Sequence, residues 1–252
     1  MRPTDLIKPT FHLAAMELKL YLREPSAFFF TMIFPLLLML LFGSIWGNEP
    51  FPEQTFGYID YSTASFIGIV ILTAGIMNLT ISIAAYREKG ILRRFKATPI
   101  SPVCFLAAEM MSILVVTIMG VILLLLAGIT IFGMHFWGNP IEALGAFLLG
   151  CGAIAGLGFV PASLAPSARS ATVVANLLYF PMLFLSGGAL PRQMLPEFLK
   201  SASEILPMTH AIRLLRGIWL GEHLVDYPVE MAVLAGFVVA GGFFAARLFR
   251  WD

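Results

Sequence analysis

The side chains that could do chemistry in this chain are few, and the densest group of them occupies one stretch, Tyr86 to Pro102 (YREKGILRRFKATPISP). Arg87, Lys89, Arg93, Arg94 and Lys96 are set there with Glu88 against an apolar set, Ile91, Leu92 and Phe95, at helical spacing. An anchor for anionic headgroups needs only the charges. The ordered Glu88, Gly90, Leu92, Thr98 and Pro99 also fit a short helix that inserts into a groove on a soluble partner. A second constellation, Ser186-Gly187 with His210 downstream, raises nucleophilic catalysis within a membrane. The serine elbow of that chemistry calls for glycine two residues before the serine, and Phe184 stands there instead. Ser186-Gly187-Gly188 therefore reads as the end of a span or the opening of a re-entrant turn. Nucleotide hydrolysis lacks its cradle, because none of the lysines (8, 19, 89, 96 and 200) follows a glycine and no Gly-x-x-x-x-Gly-Lys-Ser/Thr loop exists. There is no His-Glu-x-x-His, no paired carboxylates sit together within the apolar segments, and Cys104 and Cys151 lack metal-ligand spacing. No metal site is expected.

The elements that must carry these residues follow from composition. Hydrophobic residues make up 59% of the chain and charged residues 12%, against about half and about a quarter in soluble domains. A soluble enzyme, a disulfide scaffold and a disordered regulator are set aside. Sixteen basic residues nearly cancel fifteen acidic ones, so no nucleic-acid partner is implied. Six segments are long and apolar enough to span a bilayer: 27–46, 64–85, 103–132, 141–163, 171–190 and 229–248. The first begins only after Pro25, behind Asp5, Glu17 and Glu24, which does not resemble a cleaved signal. Glu109, Glu142 and Glu230 each fall near one end of a span, and starting the third span later places Glu109 at the interface.

Orientation follows from the basic residues. Arg2, Lys8, Lys19 and Arg23 precede the first span, five more lie at 86–102, Arg169 follows the fourth span, and Arg247 and Arg250 close the chain. The opposite side has Arg192, Lys200, Arg213 and Arg216. The positive-inside rule then puts both termini in the cytoplasm. Three further segments are amphipathic. Phe11, Ala15, Leu18 and Leu22 form the apolar stripe of an interfacial helix within 1–26. Within 191–222, Leu195, Phe198, Leu199, Ala202 and Ile205 form one stripe, and Met208, Ile212, Leu215 and Trp219 form another opposite His210, Arg213 and Arg216. These read as two helices dipping into the outer leaflet, since two arginines are costly at mid-bilayer. Pro35 and Pro181 interrupt spans one and five and are candidate gate positions. Tyr179, Phe180 and Phe184 are candidate pathway residues, and ordinary packing accounts for them equally well. Small-residue spacings (Gly43/Gly47, Gly152/Gly156, Gly217/Gly221) read first as packing within the chain, and Gly150, Gly152, Gly156 and Gly158 mark span four for close helix contact.

With these features in view the chain resembles the permease subunits of ABC-2-type ABC transporters, and looks most like small bacterial drug and antibiotic exporters with a separate ATP-binding subunit. Three blocks carry the resemblance. The first is Arg23-Glu24-Pro25 running into Phe34-Pro35-Leu36 and Phe42-Gly43. The second is Arg87 through Arg94 followed by Ala97-Thr98-Pro99-Ile100. The third is Ser186-Gly187-Gly188, Leu190-Pro191, Leu195-Pro196, Leu206-Pro207-Met208-Thr209 and Leu214-Leu215-Arg216. The chain departs from the family at Leu206, where Asn is usual, and at His210, where an aromatic is usual. Both bear on substrate.

The resemblance implies an all-α fold of six transmembrane helices, with an N-terminal interfacial helix and a re-entrant pair before the last span, forming a single transmembrane domain over 1–252. It implies a multi-pass protein of the inner membrane that is not itself an enzyme. Two permease copies, taken as a homodimer, would surround a central path within membrane lipid, above two cytosolic ATP-binding subunits. ATP and Mg would be held by those partners, and this chain would bind no cofactor. Arg87, Glu88, Gly90, Leu92, Arg93, Arg94 and Phe95 would form the coupling helix. Pro166 and Arg169 would form a second cytosolic contact, and Pro35, Tyr179, Phe180, Pro181, Phe184, Gly187 and Gly188 the pathway or gate. The cargo implied is an amphipathic drug or lipid-like compound, with polysaccharide or lipid-linked glycan as the alternative. A non-transporting scaffold that anchors a cytosolic complex is the contrasting class.

Overall fold

A computed structural model describes residues 3–50, 55–96, 101–189, 192 and 195–248. The expected motif residues Ala97 to Ile100 and Leu190-Pro191 lie outside the described residues, as do Arg2 and Arg250. Among the described residues the fold is helical throughout, with no strand.

Helix α1 (Pro3–Tyr21) precedes the first span. Span one, α2 (Pro25–Trp46), starts with proline in its first turn and stops at Gly47, whose φ of 65° suits only a residue without Cβ. Span two, α3 (Tyr58–Glu88), is followed by the short α4 (Ile91–Lys96). Span three, α5 (Pro102–Phe132), is capped by the Ser101 hydroxyl, which accepts from Cys104 N at 3.2 Å. Span four, α6 (Pro140–Leu164), is capped by Asn139, and span five, α7 (Ala168–Leu185), by Ser167. Two shorter helices, α8 (Glu197–Ser203) and α9 (Pro207–Trp219), precede the last span, α10 (Pro228–Leu248). These helices include six long and apolar enough to cross a membrane, which makes the chain a multi-pass membrane protein. Leu13 and Ala14 of α1 pack with Cys104 and Ala108, and Ala245 near the end of α10 packs with Leu92 and Phe105, so these helix ends share one end of the bundle, the terminal end.

Span two is the axis of the fold. Nearly every residue from Ile59 to Ile76 is buried, whatever face it occupies. A helix apolar all round is buried by its neighbours; here these are α2, α5, α6, α7 and α9. Span two also has 31 residues, or about 46 Å of helix against a hydrocarbon layer of about 30 Å. The helix therefore carries Tyr86, Arg87 and Glu88 past the apolar layer at the terminal end. Span five, in contrast, stops at Leu185, short of the expected 190, because Ser186 and Gly187 (φ 83°) turn the chain.

Glycines set the closest contacts. A Cβ at Gly158 would overlap the Gly75 carbonyl, and one at Gly241 would overlap the Gly156 backbone. The span-four glycines thus join α6 to α3 and to α10, as packing within one chain. Gly158→Ala is expected to force α3 and α6 apart and to weaken the Thr80 hydroxyl's bond to the Gly158 carbonyl (3.1 Å). The expected cost is about 2 kcal/mol, read as a lowered unfolding midpoint in detergent; an unchanged midpoint would contradict this packing.

The amphipathic segments turn polar groups toward protein. Helix α9 is enclosed by protein on its polar face as well as its apolar one: Met208 through Ile212, Leu214, Leu215 and Gly217 through Trp219 are all buried, against α3, α6 and α10. Its arginines are tolerable because protein acceptors replace water. In α1 the stripe of Phe11, Ala15 and Leu22 faces outward, while Leu13, Ala14 and Glu17 turn toward α5. The Ser112 hydroxyl ties the pair by donating to the Ala14 carbonyl at 3.0 Å.

Candidate functional site

The basic stretch singled out by sequence forms one end of a platform. Arg87, at the end of α3, is turned inward, and its Nη1 donates to the carbonyls of Ala162 and Ala165, each at 2.8 Å. Those carbonyls lie at the C-terminal end of α6, where helical carbonyls lack partners and the helix dipole favours a cation. The neighbouring Glu88 accepts from Ala168 N, the first residue of α7, at 2.8 Å. A carboxylate there meets the positive end of that helix. Adjacent residues at the tip of span two thus grip both sides of the α6–α7 connection. The two stretches expected as separate contacts, around 86–95 and 166–169, are one assembled surface.

The rest of the stretch divides by face. Leu92 is fully buried with Ile83 and Phe105, and the Phe95 ring lies 5.8 Å from that of Phe105. Lys89, Arg93, Arg94, Pro166 and Arg169 are exposed. The helix α4 is therefore seated on its apolar side and presents arginines outward. Gly90 has φ 69°, and a Cβ there would meet nothing within 4 Å. Its role is the left-handed link that lets α4 fold back after α3, not a tight fit. Gly90→Ala is expected to lower the unfolding midpoint by the equivalent of about 1 kcal/mol, with Gly90→Asn closer to the parent. Equal losses for Ala and Asn would instead contradict the left-handed role.

Helix α1 braces this end. The Tyr86 hydroxyl donates to Glu17. Burial raises the Glu17 carboxyl above the ordinary carboxylate range, and the Tyr86 bond opposes that rise.

At the opposite end the turn after span five is held by hydroxyls and arginines. Ser65 donates to the Gly187 carbonyl at 2.7 Å, and Thr209 donates to Ser186 Oγ at 3.0 Å. His210 Nε2 faces the Glu204 carbonyl at 2.8 Å, which makes it the N–H tautomer there. Ser186 and His210 are engaged by different partners, so the pairing needed for a serine nucleophile is not assembled. Arg216 donates to the Tyr61 carbonyl (3.2 Å), the Tyr61 hydroxyl (3.1 Å) and Ser65 Oγ (2.8 Å), with its guanidinium 4.1 Å from the Tyr61 ring centroid. Arg213 bridges Glu204 (2.7 Å) and Glu230 (2.8 Å). Burial pulls the Glu204 carboxyl upward, but hydrogen bonds from Arg213 and Arg192 outweigh it and leave it below the ordinary value. Sequence reasoning missed the roles of Tyr61 and Ser65. Polar residues in the first turns of an otherwise apolar span were the available signal.

Of the expected pathway residues, Tyr179 and Phe180 line a cleft of about 310 Å³ together with Phe30, Phe34, Met77 and Leu183, with polar atoms from Asn78 and Asn176, whereas Pro35, Pro181, Phe184, Gly187 and Gly188 do not. Phe180 and Phe184 stack at 6.5 Å, and both are exposed. Tyr179 is buried and shares a hydrogen bond with Thr73 at 3.1 Å. Pro35 is buried just beyond a π-helical turn, Phe29–Ile33, and a second π-turn, Thr73–Asn78, lies in span two. A wider turn relieves the clash of a proline ring with the preceding turn's carbonyl. The two π-turns are joined where Asn78 Nδ2 donates to Thr31 Oγ1 at 2.8 Å. Pro181 is exposed on α7.

Comparison with known proteins places this architecture. Nodulation protein J of Rhizobium leguminosarum bv. trifolii is 35% identical over 118 residues, 47% of this chain and 45% of that protein. Its counterpart in Rhizobium meliloti is 33% identical over a stretch of the same length. The inner membrane transport permease YhhJ of Escherichia coli is 27% identical over 175 residues, 66% of this chain and 44% of its own. The matches span less than half the length of these relatives. The pattern of the ABC-2 type transporter family matches residues 9–220, taking in both halves of the platform and the turn after span five. That match covers most of the chain, and the chain belongs to the ABC-2 type transporter family.

Proposed function

We propose that this chain is the permease subunit of an ATP-driven exporter, working as one of two copies above separate cytosolic ATP-binding subunits. The observation that carries the reading is the platform: Arg87 and Glu88 fix the α6–α7 connection to span two while Arg93, Arg94 and Arg169 face outward. Span two runs unbroken from that surface to the arginine network at the other end. A displacement applied at α4 is thus delivered to the axis of the bundle rather than absorbed in a loop. The chain supplies no nucleotide site of its own in this scheme; ATP and Mg belong to the partner. The terminal end is cytoplasmic, by its excess of basic residues. The cargo passes the apolar cleft beside Phe30 and Phe180, which suits amphipathic or lipid-like compounds.

The test is assembly. The chain should co-purify with an ATP-binding subunit and change that subunit's hydrolysis rate. Association without any export, with hydrolysis indifferent to the chain, would favour a scaffold; absence of association would sink both.

A further inference from the structure

Glu109 lies about two turns into α5, is only 4% exposed, and its Oε1 has no hydrogen-bond partner. It lines a pocket of about 60 Å³ together with Glu17, Glu24, Asn78, Ser82 and Tyr86. None of the described residues lining that pocket is Lys, Arg or His. A buried carboxylate with an open oxygen is costly unless a cation or a proton joins it. The same Glu24, Asn78 and Ser82 also form walls of the apolar cleft beside Phe30 and Phe180. An acidic recess therefore adjoins an aromatic slot of about 310 Å³, with those three residues between them.

We propose that recess and cleft together form a binding site for a single-chain primary ammonium amphiphile, its –NH₃⁺ on Glu109 and its tail along Phe30, Phe34 and Phe180. The assignment rests on the transport reading and names the cargo class for it. Hydrogen bonding selects the head: –NH₃⁺ can donate to the open Glu109 oxygen, and a trimethylammonium group has no N–H to give. Charge excludes a zwitterionic phospholipid, whose phosphate would lie among three carboxylates. The tail side offers aromatic faces and few polar atoms, as apolar binding sites do.

The full chain, in phosphatidylcholine nanodiscs with empty discs subtracted, is titrated with dodecylammonium, dodecyltrimethylammonium and dodecanol. Dodecylammonium is expected to bind at least about tenfold more tightly than either analogue, the value of one charge-assisted contact. Glu109→Gln should abolish that preference, and Phe180→Ala should weaken all three ligands while keeping it. Equal affinity for dodecylammonium and dodecanol in the parent chain overturns the site, whatever the variants do. Preference surviving in Glu109→Gln overturns it as well. Co-purification with an ATP-binding subunit is scored separately, so a chain that assembles but shows no preference rejects this site and leaves the permease reading intact.

Discussion

Arg87→Ala is expected to insert, reach near-normal levels in the membrane, and lose coupled export by about tenfold or more. The substitution removes two hydrogen bonds from a charged donor, each worth about 1.5–3 kcal/mol, and leaves the Ala162 and Ala165 carbonyls without that partner. The α6–α7 connection is then no longer fixed to span two, although every apolar contact of the bundle remains. Glu88→Ala should act in the same direction with a smaller effect, since it removes one bond to the start of α7. Glu88→Gln, which keeps an acceptor, should recover most of it. Arg94→Ala removes only an outward charge, so it should weaken partner affinity, in a salt-dependent way, more than it disturbs the fold. Export per unit of membrane-inserted chain, compared across these variants, checks the ordering. Full export by Arg87→Ala would show that the α6–α7 connection need not be held.

The second large effect concerns the other end. Arg216→Ala is expected to destabilise the chain by about 3 kcal/mol, from lost charged hydrogen bonds and the cavity left behind. Arg216 joins α9 to span two through three bonds and a stacked ring. Ser65 in turn holds the Gly187 carbonyl, so the turn after span five should loosen with it. Tyr61→Phe removes only the hydroxyl acceptor (3.1 Å) and should cost about 1 kcal/mol. Unfolding midpoints in detergent, with Trp219 beside the site as a fluorescent reporter, measure both. Equal stability of Arg216→Ala and the parent would mean that the buried guanidinium costs as much as its bonds return.

The spans were legible in the sequence because bilayer thickness imposes runs that few other constraints produce. Helix starts were marked too, by Pro25, Ser101-Pro102, Asn139-Pro140 and Leu206-Pro207. What could not be read was which polar groups turn inward. In α1 the apolar stripe at Phe11, Ala15 and Leu22 faces away from the bundle, and Glu17 turns in to meet Tyr86. In water the same stripe would have been buried; in a bilayer apolar surface gains nothing by leaving lipid, so polar groups seek protein. The same physics places Arg216 inside. Within the basic stretch, Arg87 and Arg94 are equivalent by composition, yet one is bound to carbonyls and the other is exposed. Successive helical residues differ by about 100°, so their roles depend on where span two ends and Gly90 redirects the chain. The pairing of 86–95 with 166–169 is a contact across 80 residues, and no local pattern announces it.

In the proposed exporter, α4 and the α6–α7 connection together form the surface on which an ATP-binding subunit acts. Cys104 and Cys151 are both buried, so a single cysteine introduced at the surface is the main site that reacts with a crosslinker. Arg94→Cys and Arg169→Cys, each in an otherwise unchanged chain, should both crosslink to the same ATP-binding subunit in exporting membranes. A cysteine at exposed Phe198, at the other end of the bundle, should not. Crosslinking from Phe198→Cys with none from Arg94→Cys and Arg169→Cys would put the ATP-binding subunit at the opposite end of the bundle and remove the platform's role.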